Sequence, residues 1–440
     1  MKANKKFVSD LERAIQFHQQ GNNVAAKALY QKLLNQESDH PDLLHFYGLY
    51  CFQYGEQDKG IRYVRKCLQL NPQYPDACNN LGNMLKLSGK LEEAEEMYHK
   101  ALELNPQSAD AMINLGVLAR SRQAYDEALE WNQRAIAINP DNGIAYNNLA
   151  RLLMKLGKTR LALEVLNEAV KKVVKFDASS EETHVQRARL MLILGNKDEA
   201  EEIYRDWLNA YPDSKRAQHM LAAVTGVDVP EKSDPDYVKV LFDRFSSSFD
   251  EVLDRLDYKA PEIVGARVAR YYTTDQPAEY LLDAGCGTGL CGTFLRGITS
   301  NMFGVDLSPG MLQRASQREL YDDLIEMELV AYLNEVPDRF DAIVSADTLN
   351  YFGDLSEVFA ATARSLKPGG RFVFTLEQHE AESNESFNLN SHGRYSHSLS
   401  YVSELLSQSG FDLPESEQVV LRTELAIPVS GMVIVTRKPL

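Results

Sequence analysis

Leu281-Leu282-Asp283-Ala284-Gly285-Cys286-Gly287-Thr288-Gly289 decides the fold of the C-terminal half of this 440-residue chain. An apolar strand closes on an acid, and glycines follow at alternate positions. Residues without a Cβ let the backbone turn sharply and press against a ligand, with amide N–H groups left to donate. Asp306 stands seventeen residues past Gly289 and closes a second apolar strand in Phe303-Gly304-Val305-Asp306-Leu307-Ser308. In a doubly wound sheet, an acid at the tip of the second strand is placed to bind the two hydroxyls of a ribose. The two segments together describe a pocket for a nucleoside-bearing cofactor.

Gly287-Thr288-Gly289-Leu290-Cys291-Gly292 also fits the dinucleotide pattern G-x-G-x-x-G. Asp283 argues against a dinucleotide, because a carboxylate two residues before the first glycine would face the pyrophosphate. S-adenosylmethionine carries an ammonium and a sulfonium at its methionine end, so an acid there is favourable. Further along, Leu366-Lys367-Pro368-Gly369-Gly370-Arg371-Phe372-Val373-Phe374 reads as helix end, tight turn and new strand. In this order the elements resemble the class I S-adenosylmethionine-dependent methyltransferases. A nicotinamide enzyme is the remote alternative.

The resemblance implies roles for individual residues. Asp283 and the loop Gly285, Cys286, Gly287 and Gly289 would hold the methionine end, and Asp306 the ribose hydroxyls. Leu307 and Met311 would pack on the adenine. Glu328, followed by Leu329, lies where the family places an acid accepting from the adenine amino group. Met327 stands in that motif's usual small-residue position, and a solvated acid at a strand end is the other reading of Glu328.

Asp347 and Tyr351, in Ser345-Ala346-Asp347-Thr348-Leu349-Asn350-Tyr351-Phe352, follow the fourth strand. Ligands bind beyond the carboxyl ends of strands in such sheets, which makes both candidates for the acceptor side. Tyr351 and Phe352 read equally as packing aromatics. The N/D-P-P-Y/F tetrapeptide is absent from the sequence, which argues against DNA adenine and glutamine-type acceptors. His397 is the general-base candidate, since histidine titrates near neutrality, and Arg394 could bind an acidic group on the acceptor or steady the cofactor carboxylate. Against both stands the polar stretch 391–400, typical of an exposed loop.

The first half is periodic. Gly48, Gly82 and Gly116 stand 34 apart, as do Gly21, Gly55 and Gly89, a series that lapses at Gln123 and resumes at Gly157. Pro72, Pro106 and Pro140 close successive repeats. This is the tetratricopeptide pattern, with small residues where two helices cross, a bulky one filling the gap, and proline after the second helix. Six repeats are expected, at about 7–40, 41–74, 75–108, 109–142, 143–180 and 181–214, the fifth with four extra residues around Lys171 to Ser180. Asn80, Asn114 and Asn148 recur at the sixth position of consecutive repeats. Asparagine amides donate and accept, so such a ladder can pair with the backbone of an extended peptide. Asparagine is also common at this position whatever the ligand.

Residues 1–225 are thus expected to form an all-α solenoid with a capping helix at 215–225. Residues 226–235 would be a linker, and 236–440 an α/β, Rossmann-like, seven-stranded methyltransferase domain. Strands are expected near 279–284, 302–306, 326–329, 341–346, 371–377, 418–425 and 430–437, the last two as a hairpin. The aromatic lead-in at 237–256 reads as a lid over the cofactor or as core. The whole arrangement resembles the bacterial methyltransferases that carry an N-terminal tetratricopeptide array.

Charge narrows the acceptor. The net charge is −16, yet residues 1–233 carry 30 basic and 31 acidic residues, and 234–440 carry 17 and 32. A catalytic half this acidic repels phosphate backbones, so nucleic acid is a poor expectation. No apolar run reaches membrane-span length and no hydrophobic region follows the first lysines, which makes the cytoplasm the default. Cys51, Cys67 and Cys78 fall on small or apolar repeat positions and are expected to be buried thiols, with neither disulfide nor metal indicated. The reading is a methyltransferase whose repeats recruit a protein or peptide, with protein as the leading acceptor. A small-molecule acceptor with the repeats serving assembly, and a silent cofactor-binding scaffold, are its rivals. Oligomeric state is not legible.

Overall fold

Inside each helix pair of the first half the backbone turns left-handed, at Gly21, Gly55, Gly89, Gly157 and Gly195 (φ 73–89°). Gln123, where the glycine series lapses, adopts the same conformation at φ 64°. The turn is therefore dictated by the helix pair, and a side chain there costs about 1–2 kcal/mol. The structure, a computed structural model, describes residues 2–173, 177–379, 386–424 and 427–440. The chain divides into two compact units, Met1–Ile203 and Tyr204–Leu440.

In the first unit, Lys2–Gln19 pairs with Asn23–Gln36, Pro41–Gln53 with Gln57–Leu70, and Pro75–Leu87 with Leu91–Leu104. Ala109–Ser121 pairs with Tyr125–Ile138, and Gly143–Lys155 with Thr159–Lys172, after which comes Ala178–Ile193. Pro72, Pro106 and Pro140 each lie just past the end of a second helix, as the repeat pattern requires. A Cβ at Gly82 would stand 2.5 Å from the Tyr98 ring. Tyr98 is fully buried there, a burial that contributes about 1.5–3 kcal/mol. Cys51, Cys67 and Cys78 are buried in this helical core. Part of the insertion expected around Lys171 to Ser180, residues 174–176, lies outside the described residues.

The second unit is built on one sheet, with nine strands among the described residues. They are β1 (Ala278–Ala284), β2 (Thr299–Asp306), β3 (Asp323–Glu326), β4 (Phe340–Ser345) and β5 (Leu366–Gln378), then β6 (Phe387–Leu389), β7 (Tyr395–His397), β8 (Glu415–Glu424) and β9 (Ile427–Arg437). The order is β3-β2-β1-β4-β5-β7-β6, with β9 antiparallel to both β5 and β8. The central strands are buried on both faces, hence their near-continuous apolar runs such as Ala342-Ile343-Val344 and Phe372-Val373-Phe374. β1 lies between β2 and β4, so the chain reverses direction across the sheet at its carboxyl end. In open α/β sheets that switch point is where ligands bind.

All seven expected strands are present. The third begins and ends earlier than read, at 323–326 instead of 326–329. β6 and β7 form an additional short hairpin, and β7 falls within the polar stretch read as an exposed loop. Alternating polar residues there pair with β5, an edge contact that composition does not disclose. The turn of the last hairpin, residues 425–426, lies outside the described residues.

The helix expected at 215–225 is observed as Lys215–Thr225, ended by left-handed Gly226 (φ 73°). It belongs to the second unit, with Ala222 and Ala223 packed among Leu389 and Tyr395. The stretch read as a linker is likewise built into this unit. Gly353 N and Asp354 N donate to Glu231 O, Ser233 N donates to Tyr351 O, and Tyr395 Oη donates to Pro230 O. The extended Pro-containing segment reads as a linker because its partners are distant in sequence.

Candidate cofactor and acceptor site

Asp283, the penultimate residue of β1, is almost wholly enclosed, 1% exposed. Its Oδ2 accepts the Tyr321 hydroxyl at 2.6 Å, whereas Oδ1 is buried with no protein partner. Burial pushes its carboxyl up to about 7, against the Tyr321 hydrogen bond, which lowers it, and with a smaller upward contribution from Asp306. An orphaned buried carboxylate oxygen is costly. A ligand cation would offset that cost.

The glycine loop turns immediately after Asp283. Gly285, Gly287 and Gly289 are all left-handed, at φ 77°, 53° and 83°. A Cβ at Gly285 would stand 2.1 Å from Thr348 Oγ1. Gly285 N and Cys286 N donate to Val305 O, and Gly287 N donates to Asp306 Oδ2 at 2.9 Å. Asp306 Oδ1 accepts from Ser308 N at 2.9 Å. Both oxygens of Asp306 are thus aimed by backbone amides, with a lone pair on each left over. Cys286 is buried in the loop, its thiol pushed up by burial.

Leu307 is half-buried after β2, and Met311 is buried in the helix Pro309–Ser316. Glu328 requires a correction to the reading as an acid at a strand end. β3 stops at Glu326, and Glu328 instead caps the helix Leu329–Glu335, its Oε2 accepting from Ala331 N at 2.8 Å. Its Oε1 stands 3.7 Å from Lys232 Nζ, and Leu329 beside it is buried. An acid followed by an apolar run is also a helix start, and here that signal wins.

Two acids that sequence reasoning passed over tie the lead-in segment to this loop. Asp243 Oδ1 accepts from Ser308 Oγ at 2.5 Å and from Gly310 N at 3.1 Å. Asp250 accepts from Thr288 Oγ1 at 2.5 Å and from Arg318 Nη2 at 2.6 Å. None of the residues in helix Pro235–Phe245 is buried, so its aromatic stripe is not core. Phe242, Phe245 and Phe249 instead cluster edge to face, with Tyr351 against Phe242. The Phe249 ring is the nearest group to the Cβ position of Gly287, at 4.0 Å. The signal available was the acids at 243 and 250, each directly after a phenylalanine of the stripe.

Beyond β4 the acceptor candidates separate. Asp347 is left-handed at φ 58° and accepts from Thr375 Oγ1 at 3.0 Å and from Arg422 Nη1 at 2.8 Å. Burial raises its carboxyl above the usual range despite Arg422. Arg422 also meets Glu377 and Glu424, and Arg394 bonds the same two acids at 2.6 Å each. Arg394, a candidate for an acidic group on the acceptor or for the cofactor carboxylate, is instead committed to this network. His397 also departs from the reading. It is fully buried in β7, its Nε2 3.0 Å from Gly353 O, and burial lowers its pKa to about 4. A neutral core imidazole replaces the exposed loop base.

In the repeats, Asn80 Nδ2 stands 3.0 Å from His45 Nε2, and Asn114 Nδ2 donates to Asn79 Oδ1 at 3.0 Å. Asn148 Oδ1 accepts from Arg151 at 3.4 Å. Asn80 and Asn114 thus each spend an amide hydrogen on stitching one repeat to the previous one, a partner that a ladder read by spacing does not reveal.

Residues 282–374 match the family model described as a methyltransferase domain, and residues 85–143, 119–180 and 181–224 match tetratricopeptide repeats. The chain is 34% identical over 103 residues to the biotin biosynthesis bifunctional protein BioHC of Saccharophagus degradans, covering 23% of this chain and 18% of that protein. It is 32% identical over 108 residues to the ubiquinone biosynthesis O-methyltransferase of Thiobacillus denitrificans, covering 23% and 46%. To the 18S rRNA (guanine-N(7))-methyltransferase of Bos taurus it is 31% identical over 119 residues, covering 24% and 42%. The chain thus spans less than half the length of these curated relatives. No helix among the described residues is long and apolar enough to cross a membrane. With its glycine loop, Asp283 and Asp306 inside the match at 282–374, and repeats matched from residue 85 to 224, the chain combines tetratricopeptide repeats with a methyltransferase domain.

Proposed function

We propose that the chain is an S-adenosylmethionine-dependent methyltransferase whose repeats recruit the protein or peptide that bears the methyl acceptor. The observation that carries the cofactor is Asp283 Oδ1, a buried carboxylate oxygen without a protein partner beside a glycine loop. Ionised, it would pair with the cofactor's ammonium. Asp306, aimed by Gly287 N and Ser308 N, would accept from the ribose hydroxyls. Leu307 and Met311 would flank the adenine, and Phe249 would help exclude water. When bound, the cofactor supplies an electrophilic methyl group on a sulfonium.

The protein's part in such a displacement is alignment, exclusion of water and removal of a proton where the acceptor needs it. Asp347 is our candidate to take that proton, since its carboxyl, raised by burial, lies two residues beyond the end of β4. Recruitment by the repeats rests on their class, because stacked helix pairs present extended binding surfaces. The acidic balance of residues 234–440 weighs against a nucleic-acid acceptor. A small-molecule acceptor is the second reading, favoured by relatives named for biotin and ubiquinone biosynthesis. Incubating the full chain with methyl-labelled S-adenosylmethionine and a lysate of the source cell tests both. Label in a protein band supports the first reading, label confined to small molecules supports the second, and no transfer above a boiled control overturns the activity.

A further inference from the structure

Tyr321 fills a space emptied by three glycines. A Cβ on Gly289 would stand 2.9 Å from its ring, and one on Gly292 or Gly304 would stand 3.1 Å away. These glycines come from the loop, the helix after it and β2, so the ring is wedged where all three meet. The wedge directs the hydroxyl at Asp283 Oδ2, 2.6 Å away, and leaves Oδ1 unshared. Burial, with Asp283 adding to it, pushes the phenol far above its ordinary value, so this group donates at every working pH.

We infer that Tyr321 is a positioning residue for the cofactor, holding the Asp283 carboxylate ionised and turned so that Oδ1 faces the ligand ammonium. This rests on the reading of Asp283 as the ammonium-binding carboxylate. Three consequences follow from one hydrogen bond. It fixes the rotation of the carboxylate, it engages Oδ2 while leaving Oδ1 wholly unshared for the cation, and it opposes the burial that favours the protonated form. The remaining titratable groups around Asp283 do not replace it. Asp306 disfavours a second negative charge, and Cys286, Cys291 and Tyr258 interact with Asp283 only as high-pKa neutral acids at working pH.

Tyr321→Phe keeps the wedge and removes the donor, so it separates positioning from packing. The measurement is calorimetry of the full chain with S-adenosylhomocysteine from pH 5.5 to 8.5, for the parent, Tyr321→Phe and Asp283→Asn. Comparing variants at each pH cancels the ligand's own titration. Loss of a charge-assisted hydrogen bond should weaken binding roughly tenfold at pH 7. The deficit should shrink as pH rises, because more alkaline solution restores the carboxylate, and Asp283→Asn should bind weakly with little pH dependence. If Asp283→Asn binds poorly but Tyr321→Phe matches the parent at every pH, the inference falls and the cofactor reading survives. A deficit in Tyr321→Phe that does not change with pH also overturns it, because the carboxylate would then stay ionised without the hydroxyl. If Asp283→Asn binds like the parent, the cofactor reading itself fails, and this inference with it.

Discussion

The Thr288 hydroxyl, inside the glycine loop, donates to Asp250 Oδ1 at 2.5 Å across 38 residues of chain. Arg318 Nη2 holds the other oxygen of Asp250, and Arg318 Nε reaches back to Thr288 O at 2.6 Å. The lead-in segment is therefore pinned to the very loop that would cradle the cofactor.

Asp250→Ala removes that pin while leaving the loop glycines in place. Asp250 is partly exposed, so the loss is modest, and cofactor affinity should fall about three- to tenfold with most of the change in the off-rate. Stopped-flow release of S-adenosylhomocysteine measures it. An unchanged off-rate would mean that the segment does not cover the ligand.

Asp283 should be a burden to the ligand-free protein. Its folded carboxyl stands at about 7 against an ordinary 3.8, so the folded state holds its proton more tightly than the unfolded state does. For a raised acid, the contribution to stability falls as pH rises from about 4 towards 7. Asp283→Asn should thus gain on the parent by roughly 2–3 kcal/mol more at pH 8 than at pH 5, at about 1.4 kcal/mol per unit. Denaturant unfolding of both proteins at the two pH values checks this. A gap that does not widen at pH 8 would show that the carboxylate has a solvated or paired environment.

His397 titrates in the opposite sense. Its folded pKa, about 4, lies below the ordinary 6.5, so its stabilisation is complete above 6.5 and is lost as pH falls towards 4. The full effect is roughly 3 kcal/mol. His397→Gln should flatten the acid limb of the stability curve and leave the pH–rate profile between pH 6 and 9 unchanged in shape. If the substitution removed a kinetic limb centred near neutrality, the histidine would be the general base after all.

The boundary between folding units is testable by truncation. His219 Nε2 stands 2.8 Å from Gly393 O, and Tyr395 Oη donates to Pro230 O at 2.7 Å. A fragment beginning at Asp234 loses both and uncovers Leu389 and Tyr395, whereas one beginning at Tyr204 keeps them. The shorter fragment should melt several degrees lower or aggregate, and the longer one should bind cofactor like the full chain. Equal melting of the two would restore residues 226–235 to the status of a linker.

What the sequence disclosed follows from what repeats or runs locally. The helix pairs were legible because successive repeats restate the same glycine and proline positions, and Gln123 shows that the turn persists where the glycine does not. β1, β2, β4 and β5 were legible as apolar runs that end at Ala284, Asp306, Ser345 and Gln378. Contacts made across long stretches of chain stayed hidden. Tyr321 looks like a loop aromatic until three glycines are seen around it, and Arg394 looks like an open cation until Glu377 and Glu424 are seen beside it. His397 sat among serines, and its burial comes from Phe387 and Tyr401 rings that no local pattern places there.

The central claim is that the glycine loop with Asp283 and Asp306 takes S-adenosylmethionine and not a dinucleotide. Calorimetry of the full chain with S-adenosylmethionine and with NAD, in one buffer at pH 8, tests it most directly. The account expects micromolar binding of the first, at least a hundredfold weaker binding of the second, and a loss of about 2–3 kcal/mol in Asp306→Ala from removal of a charged hydrogen-bonding partner. Tighter binding of NAD than of S-adenosylmethionine would contradict it.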